Sequence, residues 1–243
     1  MTETPRLLVS LAMYNEAENV RPLTLAIREV VPHASILLID DNSPDGTGQV
    51  ADELARELAN VAVVHRAGKL GLGSAIVDAM RYAVEHGYDY YLNLDADFSH
   101  PPRFIPALLD GMRDRDVMIG SRYIPGGHVM GEYGLRRKMM SFGINTLARV
   151  CLGLRTRDNS GSYRCYRVSK LAKIDFDRVK SRGYSFFEEI LYLCKQVGCT
   201  FGETPITLED RRAGRSKLNK AEAVRSAAII VQLGLERLVP ARA

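Results

Sequence analysis

Between Leu7 and Gly120, short apolar runs alternate with stretches in which apolar residues recur every three or four positions. The runs at residues 7–11, 36–39, 61–65, 90–94 and 117–119 read as strands. Val20, Leu23, Ile27 and Val30, and again Leu72, Ile76, Met80 and Ala83, place one apolar stripe along a helix. Strand and helix in alternation predict an α/β fold with a mostly parallel sheet flanked by helices. After Gly120 the pattern changes to glycine-rich loops, a basic amphipathic segment at 135–152 and a closing αβ stretch. Ala228, Val231 and Leu235 share a face of a C-terminal amphipathic helix. Without an internal repeat or linker, residues 1–243 read as one domain.

In open α/β sheets, ligands bind beyond the carboxyl ends of the strands. Three polar clusters fall at that edge: Tyr14-Asn15-Glu16, Asp40-Asp41-Asn42-Ser43 and Asp95-Ala96-Asp97. Alternate side chains of an extended backbone point the same way, so Asp95 and Asp97 can face one cation. A hard ion such as Mg²⁺ or Mn²⁺, held by carboxylates and completed by water and phosphates, suits a nucleotide diphosphate. Two pairs with the same spacing, Asp114 with Asp116 and Asp175 with Asp177, lie away from that edge and read as solvated loop charges. Asp40 and Asp41 stand where an acid contacts a nucleoside, while Ser43 and Asp45 also suit the cap of a helix after Pro44. Gly71-Leu72-Gly73 opens a helix with Asp95 further on, which is half of a dinucleotide fingerprint. It follows the third strand rather than the first, and Ile76 takes the third glycine position, so a tight turn or close approach to a nucleotide is the better reading.

Composition narrows the partners. Hydrophobic residues make up 46% and charged residues 26% of the chain, which excludes a disordered protein. The net charge of +4 is too mild to point to nucleic acid and leaves anionic small molecules or membrane surfaces. Cys151, Cys165, Cys194 and Cys199 lack metal-ligand spacing and read as reduced, buried thiols of a cytosolic protein. The apolar stretch at 226–235, broken by Gln232 and Gly234, is far below the roughly 20 residues that cross a bilayer. Membrane contact is therefore expected to be peripheral, or supplied by an integral-membrane partner. In segment 135–152, Arg136, Arg137 and Lys138 precede Met140, Ile144, Leu147 and Cys151 at helical spacing, which fits an interfacial helix or core packing.

The clusters named above occur with Pro44-Asp45-Gly46-Thr47, Phe98-Ser99-His100-Pro101 and Gly120-Ser121-Arg122-Tyr123 in an order that resembles family 2 GT-A glycosyltransferases. Arg137-Lys138, Asn145 to Arg149, Gly161 to Tyr166, Gly183 to Phe186, and Pro205 to Thr207 leading to Asp210 through Leu218 resemble dolichol/polyprenol monophosphomannose synthases. The resemblance implies a GT-A fold, with residues 1–123 as the nucleotide-sugar half and 124–243 as the acceptor and membrane-facing half. It implies transfer of mannose from GDP-mannose to polyprenyl phosphate, with inversion and a divalent metal, on the cytosolic face of a membrane. A glucosyl donor, another acceptor, and a non-enzymatic nucleotide- or lipid-binding module are the alternatives. By position, Asp95, Asp97 and Ser99 match the metal ligands. Ala12, Tyr14, Glu16, Asp40, Asp41, Lys69, Gly71 and Ala96 match the donor pocket, and Arg122, Arg137, Ser141, Arg211 and Lys217 the holders of phosphate. Two positions depart from the family pattern: Ala12-Met13 replaces a usual Pro-Thr, and Phe187 replaces a frequent Gln, while Glu189 keeps its expected place.

Overall fold

The computed structural model describes residues 4–130, 135–211 and 220–238. Five strands follow the apolar runs: β1 (Leu7–Met13), β2 (Ser35–Asp40), β3 (Val61–His65), β4 (Tyr90–Asn93) and β5 (Val117–Ser121). Between them lie α1 (Ala17–Val30), α2 (Thr47–Glu57), α3 (Leu72–Glu85) and α4 (Ile105–Gly111). The later chain forms β6 (His128–Val129), α5 (Leu135–Leu152), β7 (Arg164–Arg167), α6 (Val168–Leu171), α7 (Phe186–Gln196), β8 (Phe201–Pro205), β9 (Thr207–Leu208) and α8 (Lys220–Leu238).

A seven-stranded sheet has the order β3-β2-β1-β4-β7-β5-β8, and β6 pairs with β9 beside it. Every pairing in the large sheet is parallel except those of β7, which runs antiparallel to both β4 and β5. The sheet is apolar on both faces, as strands covered on both sides by helices must be. Leu8, Leu37, Tyr91 and Ile119 meet Ile76 and Met80 of α3 and Phe186 and Ile190 of α7. Val9, Leu38, Leu92 and Met118 meet Leu23 and Ile27 of α1, Leu54 of α2 and Leu108 of α4. Among the described residues, no helix is long and apolar enough to cross a membrane.

Several expectations change. β7 carries arginine at both ends and gives no apolar run, yet Arg164 is fully buried there. Its guanidinium donates to the carbonyls of Phe187 (2.6 Å) and Asn159 (2.5 Å), which makes its burial tolerable. Asp116 is no solvated loop charge: its side chain is 14% exposed and pairs with Arg167 at 3.2 Å, while accepting the Thr200 amide at 2.9 Å. Asp114, Asp175 and Asp177 are exposed as expected. All four thiols are free, but Cys151 and Cys199 are only half-buried. In α5, Ile144, Leu147 and Cys151 pack on the core, and a different set, Met139, Phe142 and Val150, faces outward.

Gly73 sets how closely α3 approaches α7, because a Cβ there would lie 2.7 Å from Phe186 Cβ and 2.8 Å from the Ser181 carbonyl oxygen. Gly73→Val should cost about 1–3 kcal/mol through overpacking. The expected observation is a lower urea midpoint at unchanged slope; an unchanged midpoint would refute the close packing.

Candidate functional site

β1, β2 and β4 run parallel, so the turns that leave them meet at one edge. The non-glycine residues with left-handed φ among those described are Asn15 (57°), Asn42 (58°) and Phe98 (65°), one after each of these strands. Asparagine tolerates that region, but a phenylalanine there is strained, and such strain concentrates where a chain must bend to build a site. The bend corrects the extended-backbone expectation for Asp95 and Asp97. β4 ends at Asn93, and Asp97 sits in a turn, its Oδ1 accepting the Ser99 amide at 2.9 Å. The turn still directs both carboxylates to one cavity.

That cavity, of about 280 Å³, is lined by Ala12, Tyr14, Glu16, Asp41, Lys69, Gly71, Asp95, Ala96 and Asp97, all expected in the donor pocket. Met13, Leu72, Ala75, Gly183, Tyr184 and Arg211 complete it. Asp40 does not line it. As the last residue of β2 it points the other way from Asp41, and its carboxylate is taken by the Ser43 amide and hydroxyl. Asp41 receives Arg66 Nη1 at 2.5 Å and the Gly71 amide at 3.2 Å, which ties the glycine turn to the end of β2. Gly71 has φ 105°, and a Cβ there would lie 2.5 Å from the Arg182 carbonyl oxygen, so this turn requires glycine. Lys69 Nζ lies 4.1 Å from the centre of the Tyr14 ring, putting a positive charge on the cavity wall. Of the two candidate caps for α2, Asp45 accepts the Thr47 amide at 3.0 Å, whereas Ser43 bonds Asp40 and Asn15; Gly46 occupies the residue before the helix.

Asp95 accepts from Ser162 Oγ at 2.7 Å, and Asp97 pairs with Arg211 Nε at 2.9 Å. Among the described residues no group of three or more His, Cys, Asp or Glu could hold a metal. Two carboxylates facing one cavity nevertheless suit a hard divalent ion that takes its remaining ligands from water and phosphates. The pairing of Asp97 with a guanidinium supports this fit, because this corner of the cavity already accommodates positive charge. Ser99 lines the neighbouring cavity instead of this one.

The neighbouring cavity, of about 340 Å³, shares Asp95, Tyr184 and Arg211 with the first. Arg122, Ser141 and Arg211, three of the residues expected to hold phosphate, line it together. The Arg137 side chain and Lys217 lie outside the described residues. Arg122 is paired bidentately with Asp158, both bonds 2.7 Å, with side chains 7% and 0% exposed. Burial pushes Asp158 up, but the charge and hydrogen bonds of Arg122 outweigh it and hold the carboxyl below its usual range. His100, 3.5 Å from Asp95, is pushed down by burial despite the opposing charges of Asp95 and Asp97.

Sequence reasoning passed over Arg66, Asp158, Ser162 and Glu188. Ser162 and Asp158 sit in a loop before β7, and no periodicity marks such residues. Glu188 carries one visible signal: with Glu189 it is an acid set among Phe186, Phe187, Ile190 and Leu191 in α7. It is 2% exposed and lines the second cavity. Burial raises its pKa to about 8 against the opposing charge of Arg164, with smaller influences from Asp158 and Arg122.

The profile of Glycosyl transferase family 2 matches residues 9–175. An undecaprenyl-phosphate mannosyltransferase of Micrococcus luteus is 41% identical over 215 residues, which are 88% of this chain and 88% of that protein. A polyprenol monophosphomannose synthase of Mycolicibacterium smegmatis is 39% identical over 218 residues, 89% of this chain and 82% of that one. Among solved structures, mannosyl-3-phosphoglycerate synthase of Rubrobacter xylanophilus superposes with TM-score 0.68 at 19% identity, covering 98% of this chain and 77% of its own. Glucosyl-3-phosphoglycerate synthase of Mycobacterium tuberculosis, solved with Mn²⁺ and UDP, gives 0.65 at 17%, covering 96% of this chain and 79% of its own. These two structures bear on the fold alone, and they share it.

Glu188 makes stability depend on pH. The folded protein keeps its proton up to about pH 8, whereas an unfolded glutamate releases it near 4.5. Its contribution is therefore complete below pH 4.5 and is lost as pH rises toward 8. Glu188→Gln should lose less stability than the wild type between pH 5 and pH 8 in urea unfolding; identical pH dependence would refute the raised pKa.

Proposed function

The chain belongs to glycosyltransferase family 2 and is a glycosyltransferase, and we propose that it moves mannose from GDP-mannose to a polyprenyl phosphate with inversion at the anomeric carbon. The observation that carries this reading is the meeting of the two cavities at Asp95, Tyr184 and Arg211. A nucleotide diphosphate in the first would present its sugar to an acceptor in the second. The identity to two enzymes named for mannosyl transfer to polyprenyl phosphates supports the sugar and the acceptor.

In this reading an oxygen of the acceptor phosphate attacks the sugar's anomeric carbon, and the bond to the nucleotide diphosphate breaks. The acceptor is already anionic near neutral pH, so no strong general base is required. Asp95 and Asp97 would hold a divalent ion, Mg²⁺ or Mn²⁺, which would neutralise charge on the departing diphosphate. Lys69 and Arg211 add positive charge from the wall. Arg211 bridges the two cavities and suits a phosphate on either side. Asp158 holds the Arg122 guanidinium in one orientation at the acceptor side.

We further propose peripheral contact with a membrane, on its cytosolic face, through α5 and α8. Met139, Phe142 and Val150 of α5, with Val224, Val231 and Leu235 of α8, are 42–73% exposed, and the two helices pack together. Apolar side chains beside the exposed Lys138 suit an interfacial position.

Asp97→Ala should lower transfer to polyprenyl phosphate by at least about 100-fold, with the circular dichroism spectrum unchanged. Labelled GDP-mannose and UDP-glucose, each with Mg²⁺ or Mn²⁺ and with metal removed, identify donor and metal from the lipid product. Undiminished turnover by Asp97→Ala would refute the metal assignment, and glucosyl product alone would refute the donor. Phe142→Asp should reduce co-sedimentation with phosphatidylglycerol vesicles several-fold; equal binding would move the membrane contact elsewhere.

A further inference from the structure

Adjacent glutamates of α7 differ in what surrounds them. Glu189 is 1% exposed, and its two carboxylate oxygens accept the amides of Lys180 (2.9 Å) and Ser181 (2.8 Å). Those bonds account for its burial as a structural group. Glu188 is equally buried at 2%, but among the described residues its Oε2 has no hydrogen-bond partner, and the residue lines the cavity that holds Asp95, Arg122 and Arg211. A buried polar atom without a partner is costly, and such atoms are uncommon in folded proteins. The nearby Arg164 gives two of its donors to the carbonyls of Phe187 and Asn159. Its Nε also lacks a partner among the described residues, so a role for Glu188 in serving Arg164 alone is the competing outcome of the test below.

The chemistry of the missing partner follows from the group itself. An unsatisfied carboxyl oxygen needs a donor, and the ionised phosphates of donor and acceptor have none to offer. A sugar hydroxyl both donates and accepts, so it satisfies a carboxyl group in either protonation state. Asp95 and Arg211 belong to both cavities, so the group attached to a diphosphate in the first projects into the space that Glu188 lines. We propose that Glu188 is a specificity-determining residue that hydrogen-bonds a ring hydroxyl of the transferred hexose. This inference rests on the glycosyl-transfer reading above. The acid held protonated near neutral pH adds to its case, since a neutral carboxyl avoids repelling the phosphates close by.

The test is a cycle between residue and substrate. Wild type, Glu188→Leu and Glu188→Gln are assayed with the intact nucleotide hexose and with its 2-, 3-, 4- and 6-deoxy forms. Both kcat/KM and the rise in melting temperature that each donor produces are read. Glu188→Leu should lose about 10- to 100-fold in kcat/KM on the intact donor and equal the wild type on one deoxy donor, the one lacking the bound hydroxyl. Glu188→Gln should recover part of the loss, because an amide keeps a donor and an acceptor. Free Glu188→Leu should melt at or above the wild type, since it removes the unpartnered oxygen. The same fold-loss on every donor, or an effect confined to the KM for polyprenyl phosphate, would overturn the proposal; a lower melting temperature beside either result would assign Glu188 to Arg164 and the fold. Turnover of another nucleotide hexose in place of GDP-mannose would sink the mannosyl reading alone, and the cycle is then read on that donor's deoxy series. A wild type that neither turns over nor is stabilised by any nucleotide hexose overturns both.

Discussion

Carboxylates gathered at the end of a buried sheet repel one another and lose hydration, so a fold that collects them must hold positive charge at the same place. Here Asp41 is matched by Arg66, Asp97 by Arg211 and Asp158 by Arg122, each within 3 Å. The cations come from different parts of the chain: Arg66 follows β3, Arg122 follows β5 and Arg211 follows β9. Each pair ties two connections together, and the two cavities are the space between connections fastened in this way. Arg211 occupies the junction, where an anionic ligand would compete with Asp97 for its guanidinium and a cation would compete with Arg211 for the Asp97 carboxylate.

The same edge explains the backbone. Parallel strands β1, β2 and β4 deliver their chains to one side, and each must turn away at once to reach its helix. Asn15, Asn42 and Phe98 make those turns in left-handed conformation. The strain at Phe98 is held by burial of its ring in the core, which leaves Asp95 and Asp97 projecting into the cavity. Strand β7 finishes the work from the opposite direction. Inserted antiparallel between β4 and β5, it follows the loop that brings Ser162 to Asp95 and Asp158 to Arg122. The early part of the chain thus builds most of the first cavity, and later residues supply much of the second.

Much of this was legible in the chain itself. The five parallel strands and the helices between them follow from local periodicity, because burial on both faces demands continuous apolar runs. Most residues that line the first cavity were legible for the same reason: polar residues directly after such runs fall at one edge of the sheet. Asp40 was the exception, since a period of two sends neighbouring side chains to opposite sides and only the end of β2 decides which is which. Strand β7 was hidden because its arginines are satisfied by carbonyls distant in sequence, which no pattern in the chain announces. In α5, the stripe that fitted either a membrane or the core packs inward at Ile144, Leu147 and Cys151, because the position of α8 decides which apolar face is covered.

What the sequence determined by itself is therefore the α/β alternation, the strand ends at which the acids fall, and the family to which the chain belongs. The tertiary structure alone decided which charges are neutralised and which polar atoms lack partners. Asp158 and Arg122 are 36 residues apart, and Asp97 and Arg211 meet only across the fold. The difference is physical: periodicity reports how each segment meets water and core, whereas the electrostatics of a site depend on distances between segments that only packing sets.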